Sequence, residues 1–364
     1  MFRRSKQVMK LDEILKTGVE SGASDIHLKV GSVPLFRING QITKSDLGKI
    51  SKEDFESFID TMHLDEFLLQ KLTEKRQLDI GYGVSGVGRF RVNLFYQRGT
   101  LAGVFRFIPF KIPSLEELNL PPVIETIALK PRGLVLVTGI TGSGKSTTLA
   151  TMVDIINQKR RKHIITIEDP IEFLHSDKNS SIVQRQVGYD VPDFASGLRG
   201  ALREDPDVIL VGEMRDRETI STALEAVETG HLVMSTLHTK DATETINRII
   251  SSFDLNEQMQ IRLELASTIE AVISQRLIPK ADGKGLVPAV EIMIATELVR
   301  EAIRDPEKSA NIKRSIEMNR DTYGTQTFDE SLLQLYRDGL ISLEDAVEFA
   351  SNPNDFRLKV RGIS

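Results

Sequence analysis

The chain has no cysteine and no tryptophan. Without cysteine there can be no disulfide framework, thiolate metal site, iron–sulfur cluster or cysteine nucleophile. Long hydrophobic runs are missing too. The longest, GLVLVTGI and DVILVG, fall far short of the ~20 residues that span a bilayer. The opening MFRRSKQVMKLDEILK is basic but lacks the apolar core of a signal peptide. These absences predict a cytosolic chain with no membrane span. Neither sign of charge dominates: 47 Lys and Arg against 52 Asp and Glu leave a net charge of −5. No Lys/Arg stripe with interleaved aromatics is evident, which argues against a nucleic-acid partner. What is present, 40 % hydrophobic and 27 % charged residues, excludes collagen-like, mucin-like and wholly disordered chains. The 364 residues suffice for roughly two domains.

Residues 1–112 read as an α+β domain. Leu11, Ile14, Leu15 and Val19 fall at helical spacing before Gly22, and Ser51 with Asp54 opens a second helix whose apolar stripe is Phe55, Phe58 and Ile59. DIHLKV, PLFRING, QITK and LAGVFRFIPF are strand-like, and LDIGYGV with GRFRVNLFYQRG predicts a hairpin. Pro109, Pro113, Pro121 and Pro122 mark a linker over 113–124, because proline removes backbone donors. From 125 to 364 strands and helices alternate, the pattern of a parallel α/β sheet, with a mostly helical region from about residue 255 onward. The strands are GLVLVTG, HIITIE, DVILVG and HLVMSTLH; a helix carrying Ile220, Ala223, Leu224 and Val227 closes at Gly230.

Gly139-Ile-Thr141-Gly142-Ser143-Gly144-Lys145-Ser146 is a complete GxxxxGK[ST] phosphate loop, followed by Thr147 and a helix with Leu149, Met152, Val153 and Ile156 on one face. It follows a strand and opens a helix, as its chemistry requires. The glycines let backbone N–H groups curl round a polyphosphate, and the helix N-terminus adds positive potential. Lys145 suits the β- and γ-phosphates of ATP, and the Ser146 hydroxyl suits Mg²⁺. Carboxylates should then stand at the carboxyl ends of neighbouring strands. Glu213 follows DVILVG, where a metal-organising acid is expected, with Asp207 before it. Glu168, Asp169 and Glu172 follow HIITI, and His231 and His238 bracket the strand LVMSTL. A histidine near the γ-phosphate could donate a hydrogen bond and report hydrolysis. In the first domain, Arg89 and Arg91 alternate with Phe90, Val92 and Leu94, and Arg106 lies on a neighbouring strand-like run. These arginines form either a solvated face or a set aimed at nucleotide.

With these motifs the chain resembles the secretion-ATPase superfamily, and most closely the PilT family of type IV pilus retraction motors. SGASDIHL looks like the opening of that family's PAS-like domain, GITGSGKSTT its Walker A loop and ITIEDPIEF its Asp box. ALREDPDVILVGEMRD looks like its atypical Walker B and ETGHLVMSTLHT its His box, and ISQRLIP is also similar. The resemblance implies a RecA-like ATPase domain, preceded by a smaller PAS-like domain and followed by a helical C-terminal region, assembled as a homohexamer. It implies Glu172 as general base, Glu213 as metal organiser and His231 as γ-phosphate sensor; Glu168 and His238 remain catalytic candidates from their places at strand ends. Arg89, Arg91 and Arg106 would clamp nucleotide. It further implies ATP and Mg²⁺ as cofactors, an inner-membrane pilus platform protein as partner, and a place at the cytoplasmic face of that membrane. The four-cysteine metal module typical of extension ATPases is missing, which favours retraction. Val299 to Asp305 (VREAIRD) resembles the retraction motif AIRNLIRE but departs at Glu301, Ala302 and Asp305, leaving a main and an accessory motor both open. A RecA-like nucleic-acid motor and a nucleotide-binding regulator are the competing expectations.

Overall fold

In a computed structural model that describes residues 9–38, 40–108 and 111–362, the chain divides into two units. Pro109 therefore lies outside the described residues. Unit 1 is Met1–Lys111 with Pro170–Leu174; unit 2 is Ile112–Asp169 with His175–Ser364.

Unit 1 runs α1 (Leu11–Glu20), β1 (Ala23–Lys29), β2 (Leu35–Ile38), β3 (Gln41–Lys44), α2 (Lys52–Thr61), α3 (Glu66–Lys75), β4 (Gln77–Val84), β5 (Gly88–Gln97) and β6 (Thr100–Ile108). The strands form one antiparallel sheet ordered β3-β2-β1-β6-β5-β4. Period-two alternation decides its two faces. Phe90, Val92 and Leu94 of β5 are fully buried with Phe55, Phe58 and Phe105, while Arg89 and Arg91 point to the opposite face. α2 begins as expected, in a capping box: Ser51 Oγ accepts the Asp54 N–H at 3.0 Å, and Asp54 accepts the Ser51 N–H at 2.8 Å. The helix α3 escaped the sequence reading; its buried residues are only Leu68 and Leu72.

Unit 2 begins with α4 (Val123–Ala128), β7 (Gly133–Thr138), α5 (Lys145–Lys159), β8 (His163–Glu168), β9 (Ser181–Gln186) and α6 (Phe194–Ala201). It continues with β10 (Val208–Val211), α7 (Arg217–Glu228), β11 (Leu232–Leu237), α8 (Ala242–Ser251), α9 (Gln258–Thr268), β12 (Ile269–Pro279) and β13 (Leu286–Ile294). Then come α10 (Glu297–Arg304), α11 (Asn311–Met318), α12 (Arg320–Tyr323), α13 (Phe328–Arg337), α14 (Leu343–Phe349) and α15 (Pro353–Val360). The sheet order is β13-β12-β7-β11-β10-β8-β9, parallel except for the β12–β13 hairpin. Helices cover both faces, so the central strands are apolar on both sides. Leu134 and Leu136 enter the core that holds α7, α8 and α9, and Val135 and Val137 enter the core that holds α4 and α5.

Two expectations change here. The segment read as a Pro-rich linker packs into unit 2: Leu115 and Leu120 are buried in the α4–α5 core, and Pro113 O accepts the Thr151 hydroxyl of α5 at 2.9 Å. The region read as mostly helical from about residue 255 contains the longest strand of the sheet, β12. Its first half pairs with β7, and its far half, with β13, carries Ile278, Val287 and Ala289 into a separate core under α13, α14 and α15.

Glu291 of β13 is 6 % exposed and accepts the Ala242 N–H, at the start of α8, at 2.8 Å. Burial lifts its pKa to about 7 against that hydrogen bond, and Asp241 adds to the rise. The native chain therefore keeps a proton that the unfolded chain releases near the ordinary value of 4.5. The stability this proton confers is fully present below that pH and is lost as pH rises through about 7. Gln retains the shape, the acceptor and one donor of the protonated acid. Glu291→Gln is expected to match wild type in thermal denaturation at pH 5 and to gain roughly 5 °C at pH 8. An equal difference at both pH values would rule this account out.

Candidate nucleotide site

The phosphate loop leaves the carboxyl end of β7, and its conformation explains its glycines. Gly139, Gly142 and Gly144 have φ of +143°, +80° and +89°, a region that side chains disfavour. A Cβ on Gly139 would also fall 2.5 Å from both the Gln275 carbonyl oxygen and Ser143 Oγ. Gly144 caps α5, so the first helical residues, Lys145, Ser146 and Thr147, present their N–H groups at its N-terminus. Thr141 and Gly142 at the loop tip are exposed. Lys145 is only 8 % exposed; its Nζ donates to Gly139 O at 2.8 Å and Ile140 O at 3.0 Å. The ammonium is thus held by its own loop, at the place where it would meet phosphate.

The strand order β7-β11-β10-β8 sets three further groups along the same edge. His238 follows the last residue of β11, Glu213 lies two residues beyond β10, and Glu168 ends β8. Glu213 is fixed by its neighbours: Gly212 N–H donates to Ile167 O of β8 at 2.8 Å, and Met214 N–H donates to Thr236 O of β11 at 3.1 Å. Its carboxylate, 12 % exposed, lies 2.5 Å from Arg215 Nε and 3.3 Å from His238 Nε2. Glu168 accepts the Thr166 hydroxyl at 2.6 Å and the Gln184 amide at 3.1 Å.

His231 does not join them. It precedes β11, at the amino edge of the sheet, where its carbonyl accepts the Gly133 N–H and its Nδ1 lies 2.7 Å from Ala226 O and 3.1 Å from Thr229 Oγ1. The six residues of β11 separate it from His238, seven steps of extended chain or about 23 Å. The γ-phosphate sensor expected at His231 is therefore misplaced: of the two histidines, His238 is the one at the edge that carries the phosphate loop. Asp207 lies at the same amino edge, accepting Lys162 Nζ at 2.6 Å and His163 N–H at 2.9 Å.

Glu172 is exposed and belongs to Pro170–Leu174, the segment grouped with unit 1. Within unit 1 the three arginines share the polar face of the sheet. Arg91 stands opposite Arg106 across β5 and β6, and Arg106 opposite Asp25 across β6 and β1. Arg106 Nε donates to Asp25 Oδ1 at 2.9 Å. Burial works against ionisation of Asp25, but hydrogen bonds from Arg106 and Ser24 outweigh it and hold the carboxyl below the usual range. Arg89 lies against Gly81 of β4, where any side chain would collide with its guanidinium.

The donor set fits a magnesium nucleotide. Among the described residues no cluster of three His, Asp or Glu could hold a metal unaided. Mg²⁺ does not need one, since it takes much of its coordination from phosphate oxygens and water. Ser146, at the start of α5, and Glu213, beyond β10, are the residues that would help to hold it. Gln275 of β12, beneath the loop, escaped the sequence reading; only its place within ISQRLIP pointed to it.

Residues 114–328 match the family model described as "Type II/IV secretion system protein". The chain is 45 % identical over 348 residues to the type IV pilus retraction ATPase PilT of Pseudomonas aeruginosa, covering 96 % of this chain and 100 % of that protein. It is 38 % identical to the type IV pilus ATPase PilU of the same organism, covering 97 % and 92 % of the two chains. A crystal structure of the pilus retraction motor PilT with bound ADP superposes with a TM-score of 0.87 at 47 % identity, covering 95 % of this chain and 98 % of that one. Among the described residues no helix is long and apolar enough to cross a membrane. The chain belongs to the type II/IV secretion system protein family and, within it, to the PilT family of pilus retraction ATPases.

Proposed function

We propose that this chain is a Mg²⁺-dependent motor that hydrolyses ATP to drive type IV pilus retraction, working as a homohexamer at the cytoplasmic face of the inner membrane on a pilus platform protein. The observation that carries the reading is the phosphate loop flanked on adjacent strand ends by His238 and Glu213, in a chain that matches a retraction ATPase over nearly its full length. ATP with Mg²⁺ supplies the scissile phosphoanhydride. The loop N–H groups and Lys145 hold its phosphates, and Ser146 and Glu213 orient the metal's ligands. His238 senses the γ-phosphate, Glu172 takes a proton from the attacking water, and Arg89, Arg91 and Arg106 balance phosphate charge. The higher identity to PilT than to PilU favours the main motor over an accessory one.

The test is phosphate release per chain across a range of protein concentrations, with sizing of the same samples and a twitching assay in cells lacking their own retraction ATPase. A rate that rises with assembly, together with restored twitching, supports the reading. Turnover that depends on added DNA or RNA would replace it with a nucleic-acid motor, and an assembled ring without turnover would replace it with a nucleotide-binding regulator.

A further inference from the structure

Two buried polar atoms beside the phosphate loop have no hydrogen-bond partner: Ser143 Oγ and Gln275 Oε1. Both residues are 2 % exposed. Buried polar groups are almost always paired, so two orphans bordering one loop call for a cause. They belong to one neighbourhood. Ser143 Oγ and the Gln275 carbonyl oxygen each lie 2.5 Å from the point where a Cβ on Gly139 would be, and Gln275 Nε2 lies 4.0 Å from the corresponding point on Gly144. The Gln275 side chain thus runs under the loop from its first glycine toward its last.

Its footing is rigid. β12 pairs with β7 in parallel, Ser274 opposite Thr138, and the two hydroxyls are hydrogen-bonded at 3.0 Å. The next residue, Arg276, donates to Phe349 O at 3.0 Å and stacks 3.9 Å from the Phe328 ring. A polar amide on so firmly anchored a strand, yet with an unsatisfied oxygen, is placed to serve a different state of the loop. The loop itself indicates which state. The Gly139 and Ile140 carbonyls now accept the Lys145 ammonium, and a bound polyphosphate draws that ammonium away.

We propose that Gln275 is a positioning residue for the phosphate loop in its nucleotide-bound state. Its Oε1 then accepts the Ser143 hydroxyl, and its Nε2 donates to a loop carbonyl that Lys145 has released. The inference rests on the ATPase reading above and adds a residue to the same site. The amide lowers the free energy of the occupied loop and does little for the empty one.

The test compares wild type with Gln275→Met, which keeps the volume and removes both polar atoms, and Gln275→Glu, which keeps an acceptor and removes the donors. Affinity for magnesium ADP is measured by calorimetry, alongside Tm with and without nucleotide. Gln275→Met is expected to bind about 10-fold more weakly with an unchanged or higher Tm in the empty state, because replacing an unsatisfied buried amide with an apolar isostere relieves its cost. Gln275→Glu is expected to bind more weakly still. Binding by Gln275→Met within twofold of wild type overturns the inference alone, as does a fall in empty-state Tm with affinity retained, the mark of a packing role. Wild type that binds no nucleotide overturns the ATPase reading and this inference together.

Discussion

Lys145→Ala is expected to leave less than about 1 % of the wild-type rate of phosphate release, because a preorganised cationic donor at a reacting phosphate is worth roughly 10²–10³ in rate. The resting position of this lysine makes the change unusually clean. Its ammonium is buried against the Gly139 and Ile140 carbonyls, within the loop that receives phosphate. It therefore reaches the nucleotide by leaving these neutral carbonyl acceptors for a charged one. Removing it leaves those carbonyls facing a loop whose exposed tip, Thr141 and Gly142, admits water. The empty protein should accordingly keep its Tm within a few degrees. Nucleotide-induced stabilisation should shrink sharply, since that shift measures affinity for the native state directly. Retention of a tenth or more of the rate would mean that the loop amides alone carry the charge and that the lysine is structural.

The parts of this site that could be read from sequence are those whose chemistry is local. A phosphate loop needs glycines at fixed offsets, a strand before and a helix after, and all of these lie within one short stretch around Gly139–Ser146. Local signals are equally readable: the capping box at Ser51 and the period-two alternation of β5. What escaped depends on which strand lies beside which. In β12 the run IEAVISQRLIP has no alternation to separate a buried strand from a helix segment, and its identity comes from pairing with β7 and β13. Gln275 is invisible for the same reason, because it meets the loop only through that pairing. The edge strand β9 exposes Val183 and alternates weakly, so little in its composition marks it as a strand. The two histidines bracket a strand in the sequence, which does not show which end faces the phosphate loop, so His231 and His238 are not told apart there. In a parallel sheet both strands run the same way, so only the residue after β11 shares the edge with the residue after β7.

The arginine face shows how far spacing alone can go. Alternation correctly sends Arg89 and Arg91 to the side opposite Phe90. It gives no hint that Arg106 is tied to Asp25, or that Arg37, Asp25, Arg106 and Arg91 stand in one row across four strands. That row makes the three candidates chemically unequal. Arg106 is engaged by a carboxylate within its own unit and must break or share that pair to meet another anion. Among the described residues no ion pair reaches Arg91 or Arg89, so these two are the guanidinium groups more readily available to a phosphate.

Glu172→Gln is expected to lower kcat by about 10²–10⁴, the usual contribution of a general base, while leaving nucleotide affinity within about twofold of wild type. The environments of the three glutamates support this choice. Glu213 is occupied by Arg215 and His238, and Glu168 by Thr166 and Gln184. Each is therefore a positioned acceptor already committed to neighbours. Among the described residues no hydrogen bond or ion pair reaches the exposed Glu172 carboxylate, which leaves both oxygens open to a water proton. The chain on either side of its segment is anchored. Glu168 ends β8, and beyond Leu174 the Asn157 side chain of α5 donates to Ser176 O at 2.8 Å and accepts the Lys178 N–H at 3.0 Å. Both legs are thus fixed to elements of unit 2, β8 and α5, while the segment between them is grouped with unit 1. Parallel assays of Glu168→Gln and Glu213→Gln separate the roles. Glu213→Gln should shift the Mg²⁺ dependence of the rate, and Glu168→Gln should cost less than tenfold. If Glu168→Gln abolishes turnover while Glu172→Gln keeps a tenth of it or more, the base is Glu168 and the segment serves another purpose.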